Sequence, residues 1–114
     1  MREAEEAGVE VIIRDGAMAY GPAPSPGRPG QIVLDPDASY GALLHEMQHL
    51  REDRDAGWLG MAGSMSDSVV RYQNEVRAYQ QEIDYARSIG DQDSVDKLHE
   101  LLRKEYEDIF GRAP

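Results

Sequence analysis

Apolar and polar positions recur with two different rhythms along this chain. Val9-Glu10-Val11-Ile12-Ile13-Arg14 and Gln31-Ile32-Val33-Leu34 are short runs rich in β-branched residues. Such side chains suit a pleated surface, so both runs predict strands. Asp15-Gly16 is a tight-turn dipeptide, after which Ala17-Met18-Ala19-Tyr20 can return as a further strand. Beyond Asp35-Pro36-Asp37 the rhythm changes. Leu43, Leu44, Met47 and Leu50 recur at spacings of three and four, the period of a helix laid on a core. Asp37 or Ser39 can cap its start by accepting from a free backbone N–H. The pattern predicts a helix over residues 38 to 54. Val69, Tyr72, Val76, Tyr79, Ile83 and Ala86 predict a long helix over 66 to 88, stopped at Gly90. Val95, Leu98, Leu102 and Ile109 predict a last one over 94 to 110, closed by Gly111. Residues 1 to 7 read as the tail of a helix ending at Gly8.

Two segments break these rhythms. Gly21 to Gly30 carries four prolines; proline lacks the donor a ladder needs, so this is a loop or long hairpin tip. A domain linker is disfavoured, because each flank alone is too small to fold. Residues 56 to 63 are glycine-rich and apolar, a connection pinned by Trp58. Met61 and Met65 are expected as gap-filling core residues. The fold class is therefore α+β: a small antiparallel or mixed sheet packed on the 38–54 helix and two further helices, in a single domain over residues 1–114.

Charge narrows the partners. The chain has 12 basic and 22 acidic side chains, a formal net charge of −10. Phosphate backbones are repelled, which argues against nucleic acid, and anionic membrane surfaces are disfavoured too. No apolar run approaches the length of a bilayer span, so no membrane insertion is expected. The start, Met1-Arg2-Glu3-Ala4-Glu5-Glu6, is too acidic for a signal peptide. With no cysteine, only His, Asp and Glu remain as strong metal ligands.

The helix over 38 to 54 holds His45-Glu46-Met47-Gln48-His49, an H-E-x-x-H motif. By chance it arises in a chain this long on the order of a few times in a thousand. Residues four apart share a helix face, so both imidazoles can reach one zinc ion (Zn2+). Glu46 stands where it can take a proton from a metal-activated water. A catalytic site wants a third protein ligand. Glu75, 26 positions after His49 on the next long helix, is the strongest candidate. Asp55, six positions after His49, is the rival, but it needs a turn where Arg51-Glu52-Asp53-Arg54 reads as continuing helix. Tyr72 and Tyr79 lie about one turn either side of Glu75 and are candidate catalytic donors to a developing oxyanion, with His99 a further one. Asn74 can orient a ligand. Gln31 to Leu34 is expected as an exposed edge strand beside the metal, to which a substrate peptide can add.

The pair H-E-x-x-H and Asn74-Glu75-Val76-Arg77-Ala78 resembles the gluzincin branch of the zincin metallopeptidases. That resemblance covers roughly residues 9 to 90 and implies His45, His49 and Glu75 as zinc ligands and Glu46 as general base. The run from Pro29-Gly30-Gln31 through Ser39-Tyr40 to His45-Glu46 also resembles the short metallopeptidase toxin domains at the C-termini of bacterial polymorphic toxins. It implies a zinc-dependent endopeptidase acting on a protein or peptide substrate. It further implies the effector part of a longer secreted bacterial protein delivered into a target cell, with a cognate immunity protein as partner. A regulatory peptidase that cleaves a repressor, and a silent zinc-dependent interaction module, are the alternatives. The intact Glu46 speaks against the silent module, since a structural site needs no base.

Overall fold

The computed structural model describes residues 2–114. In chain order the elements are α1 (Arg2–Glu6), β1 (Glu10–Ile13), β2 (Ala19–Gly21), β3 (Gln31–Leu34), α2 (Tyr40–Asp55), α3 (Gly60–Met65), α4 (Ser68–Ser88) and α5 (Gln92–Phe110). The three strands form a mixed sheet in the order β1-β3-β2. β1 runs parallel to β3, with Val11 opposite Ile32. β2 runs antiparallel to β3, with Tyr20 opposite Ile32. The α+β architecture expected from the periodicities is the one present.

β3 is thus the central strand, not the exposed edge the sequence suggested. Its three buried residues, Ile32, Val33 and Leu34, explain why: a strand apolar on consecutive positions is covered on both faces and pairs on both sides. Asp15-Gly16 does not close a β1–β2 hairpin either. β2 folds against β3, and the proline-rich segment is the long tip of that hairpin. The tip closes at Gly30, where a Cβ would collide with the backbone oxygen of Gly21 and the Tyr20 phenol.

Two apolar clusters hold the molecule together. One joins sheet and α2 through Val9, Ile32, Leu34, Met47 and Leu50, with Trp58 packed against it. The other joins α4 and α5 through Tyr79, Ile83, Ala86, Val95 and Leu98. Ile32, Leu50, Ile83 and Val95 are the largest fully buried side chains, each contributing about 1.5–3 kcal/mol of transfer free energy. Caps fix the helix starts. Ser39 accepts from the Ala42 N–H, and Asp67 accepts from Val69 and Val70. The α4 stripe is buried only from Ala78 onward, while Val69 is 57% exposed; the first turns of α4 extend past the sheet and past its core. Met61 and Met65 are exposed as well, a correction to their expected core role. They sit on α3, which Trp58 and the proline-rich loop hold out at the rim. The Trp58 carbonyl accepts from Gly27, and Gly60 passes so close to Ser25 and Pro26 that a side chain there would clash. Among the described residues no helix is long and apolar enough to cross a membrane.

Candidate metal centre

The polar site lies where α2 meets α4, between the two apolar clusters. α2 carries His45 and His49 one turn apart, and α4 brings Glu75 to them. Each of the three offers one ligand atom, all within 4.8 Å of one another. Nε2 of His49 is 3.3 Å from Nε2 of His45 and 3.1 Å from Oε1 of Glu75. Nε2 of His45 is 3.5 Å from Oε2 of Glu75. A tetrahedral ion with bonds of about 2.0–2.1 Å has donor-to-donor edges of about 3.3–3.4 Å. In the donor triangle the two imidazole nitrogens are separated by such an edge, each faces its own oxygen of Glu75, and two imidazoles with one carboxylate are a ligand set zinc accepts. The residues present fit the ion.

Electrostatics support the convergence. Burial opposes a charge on His45, but the carboxylates of Glu75 and Glu82, with Glu46 behind them, outweigh it and raise its pKa. Burial likewise opposes a charge on Glu75, but the two imidazoles outweigh it and hold its carboxyl well below the usual carboxylate range. Positive charge is stabilised at this point, whether a proton or a metal carries it.

Glu46 is buried, at 8% exposure. Its Oε1 lies 3.9 Å from Nε2 of His45, and its Oε2 has no hydrogen-bond partner among the described residues. Burial pushes its pKa up, while the imidazoles and the Tyr20 backbone N–H pull it down. A carboxylate with one free oxygen and a raised pKa beside a ligand cluster is equipped to accept and return a proton.

The other candidates separate clearly. Tyr79 packs its ring edge-on against His45, with centroids 4.6 Å apart. Its hydroxyl faces Oε1 of Glu105 at 3.5 Å. Tyr72 lies away from the cluster, in an aromatic group with Tyr106 and Phe110. His99 is exposed on α5. Asn74 is occupied by Arg77, which donates to its Oδ1 at 2.7 Å. Asp55 has a 72% exposed side chain, pairs with Arg54 and stands outside the cluster.

Four residues at the site escaped the sequence reading. Glu82 places Oε1 2.7 Å from Nδ1 of His45, the ring nitrogen turned away from the donor triangle. Its position seven after Glu75 puts it on the same helix face, a signal that was available. Asp53, one turn after His49, is buried; it accepts from the Tyr20 hydroxyl at 2.6 Å and from the Leu59 N–H at 3.1 Å. Tyr20 and Glu105 come from β2 and α5, and nothing local in the sequence marks them.

Two recesses flank the cluster. The smaller, of about 350 Å³, includes Glu46, Tyr79, Glu82 and Glu105 in its wall. The larger, of about 450 Å³, is walled by Leu59, Met65, Val70, Arg71 and Asn74 among others. Tyr20, His49 and Glu75 belong to both, so the donor triangle forms the crest between them. Comparison with protein-family models, with curated proteins and with solved structures yields no match to this chain.

Proposed function

We propose that this domain is a zinc-dependent endopeptidase. The observation that carries the reading is the convergence of His45, His49 and Glu75, with two imidazole nitrogens a tetrahedral edge apart and one carboxylate facing both, and beside them an oxygen of Glu46 without a partner among the described residues. His45, His49 and Glu75 would hold the ion. When bound, zinc supplies a Lewis acid that makes water nucleophilic at neutral pH and polarises a carbonyl. The chain's own residues do the rest. Glu46 accepts the proton of the attacking water on its carboxylate and delivers it to the leaving amine. Glu82, 2.7 Å from Nδ1 of His45, is placed to orient that ring. The recesses on either side of the crest receive the chain on either side of the scissile bond.

The wider setting is part of the proposal: an effector portion of a larger secreted bacterial protein, opposed by an immunity protein. It is supported by the sequence resemblance between Pro29 and Glu46. The free oxygen of Glu46 favours turnover over a silent zinc module, in which a buried carboxyl oxygen without a partner would only cost stability.

The test compares zinc-loaded wild type with Glu46→Gln on a broad peptide library. The variant keeps its zinc and loses turnover by about 10²–10⁴-fold. Undiminished cleavage by the variant, or zinc-independent cleavage by the wild type, overturns the reading.

A further inference from the structure

We infer, on the footing of the peptidase reading, that the smaller recess is a specificity site for a cationic side chain, lysine or arginine, beside the scissile bond, and that Glu105 selects it. Among the described residues the recess has four carboxylates in its wall, Glu46, Glu75, Glu82 and Glu105, and no lysine or arginine. Three of them have work at the centre: Glu75 as ligand, Glu82 against Nδ1 of His45, Glu46 as base. Glu105 has none. It makes no salt bridge among the described residues, and its only side-chain partner there is the Tyr79 hydroxyl at 3.5 Å. A divalent cation on the donor triangle leaves the recess negative, because it offsets only two of the four charges. Low-dielectric walls focus that field on whatever enters.

A second feature points to an incoming ligand independently of charge. The Glu46 side chain is only 10% exposed, yet its Oε2 lacks a partner among the described residues and the residue borders the recess. At about 350 Å³ the volume lies in the range of side-chain and ligand pockets, about 300–1,000 Å³. The opposite recess differs in kind. It presents Leu59, Met65 and Val70 with Arg71 and Arg77, and its own carboxylates are taken: Glu52 pairs with Arg77, Asp55 with Arg54, Asp53 accepts from Tyr20 and Leu59, and Asp67 caps α4. Glu105 reaches the site from α5, the third helix, and leaves the ligand set untouched when changed.

The test uses the zinc-loaded Glu46→Gln protein, which binds without cutting, and an alanine-based hexapeptide series in which each position in turn is lysine or norleucine. Calorimetry reads the affinities. At one position lysine binds about fivefold tighter than norleucine; Glu105→Gln removes that difference, and Glu105→Lys reverses it toward glutamate at the same position. Equal affinities for lysine and norleucine throughout the series, or a lysine preference that survives Glu105→Gln, overturn the inference, and so does a series that does not bind. The same peptides are then given to protein with Glu46 intact. Peptides that bind with the lysine preference and stay uncut defeat the peptidase reading while leaving the cation site standing.

Discussion

Oε1 of Glu82 stands 2.7 Å from Nδ1 of His45, on the side of the ring opposite Glu75. One carboxylate therefore faces each nitrogen of a single imidazole, and both come from α4, two turns apart. A ligand histidine held at its second nitrogen has its tautomer and ring orientation set before the metal arrives. Glu82→Gln keeps the shape but removes the charge, and zinc affinity is expected to fall about 10–100-fold. Competition against a chromogenic chelator measures this, and unchanged affinity would show the contact to be incidental.

Glu75 and Asp55 were rivals for the third ligand, and the structure separates them. Glu75 reaches both imidazole nitrogens, whereas Asp55 points to solvent beside Arg54. Zinc content after dialysis should therefore drop sharply in Glu75→Ala, by more than the loss from a supporting carboxylate, about 100-fold in affinity. Asp55→Ala should keep its full complement. The opposite pattern would move the metal to the end of α2.

The contrast between these residues shows what the sequence could carry. His45, Glu46 and His49 share one helix, so their relation follows from helix geometry alone. Glu75 required a guess that a second helix crosses the first, and a short motif supplied it. Tyr20 and Glu105 depend on how β2 and α5 dock, a tertiary fact with no local trace. The same limit explains β3. Its run Ile32-Val33-Leu34 was recognised as a strand, but its central place depends on partners on both sides. Met61 and Met65 failed for a related reason. Their apolar character suited a core, while the left-handed backbone at Gly57, Trp58 and Gly60 carries α3 outward to the rim.

Tyr20 and Asp53 form the strut that holds β2 to α2. The phenol donates to Oδ2 of Asp53 at 2.6 Å and accepts from the Gly30 N–H at 3.1 Å, while Oδ1 of Asp53 accepts from Leu59. Tyr20→Phe leaves a buried carboxylate oxygen and a hairpin N–H short of a partner, a cost of about 1–3 kcal/mol. Asp53→Ala removes the other end. Because both act on one network, the double variant should lose clearly less than the sum of the two. Urea denaturation of the four proteins measures the coupling, and strict additivity would mean that the two residues act separately.

The same strut gives the fold an alkaline limit. Burial, the bond to Asp53 and its charge raise the Tyr20 pKa, against a smaller opposing effect of the Gly30 N–H. Burial and the carboxylates of Glu105, Glu75 and Glu82 raise that of Tyr79. Both phenols are thus harder to ionise folded than unfolded, where the pKa is about 10. A raised folded pKa contributes stability that is fully present below the unfolded value and is lost as pH climbs through the folded one. The chain has six tyrosines, and tyrosinate absorbance should reach full amplitude only with loss of the fold at high pH. In Tyr20→Phe and in Tyr79→Phe the late, unfolding-linked part of that signal should shrink by about one phenol each. Complete, reversible ionisation of all six near pH 10, with the circular dichroism of the helices intact, would show that neither phenol is held by its neighbours.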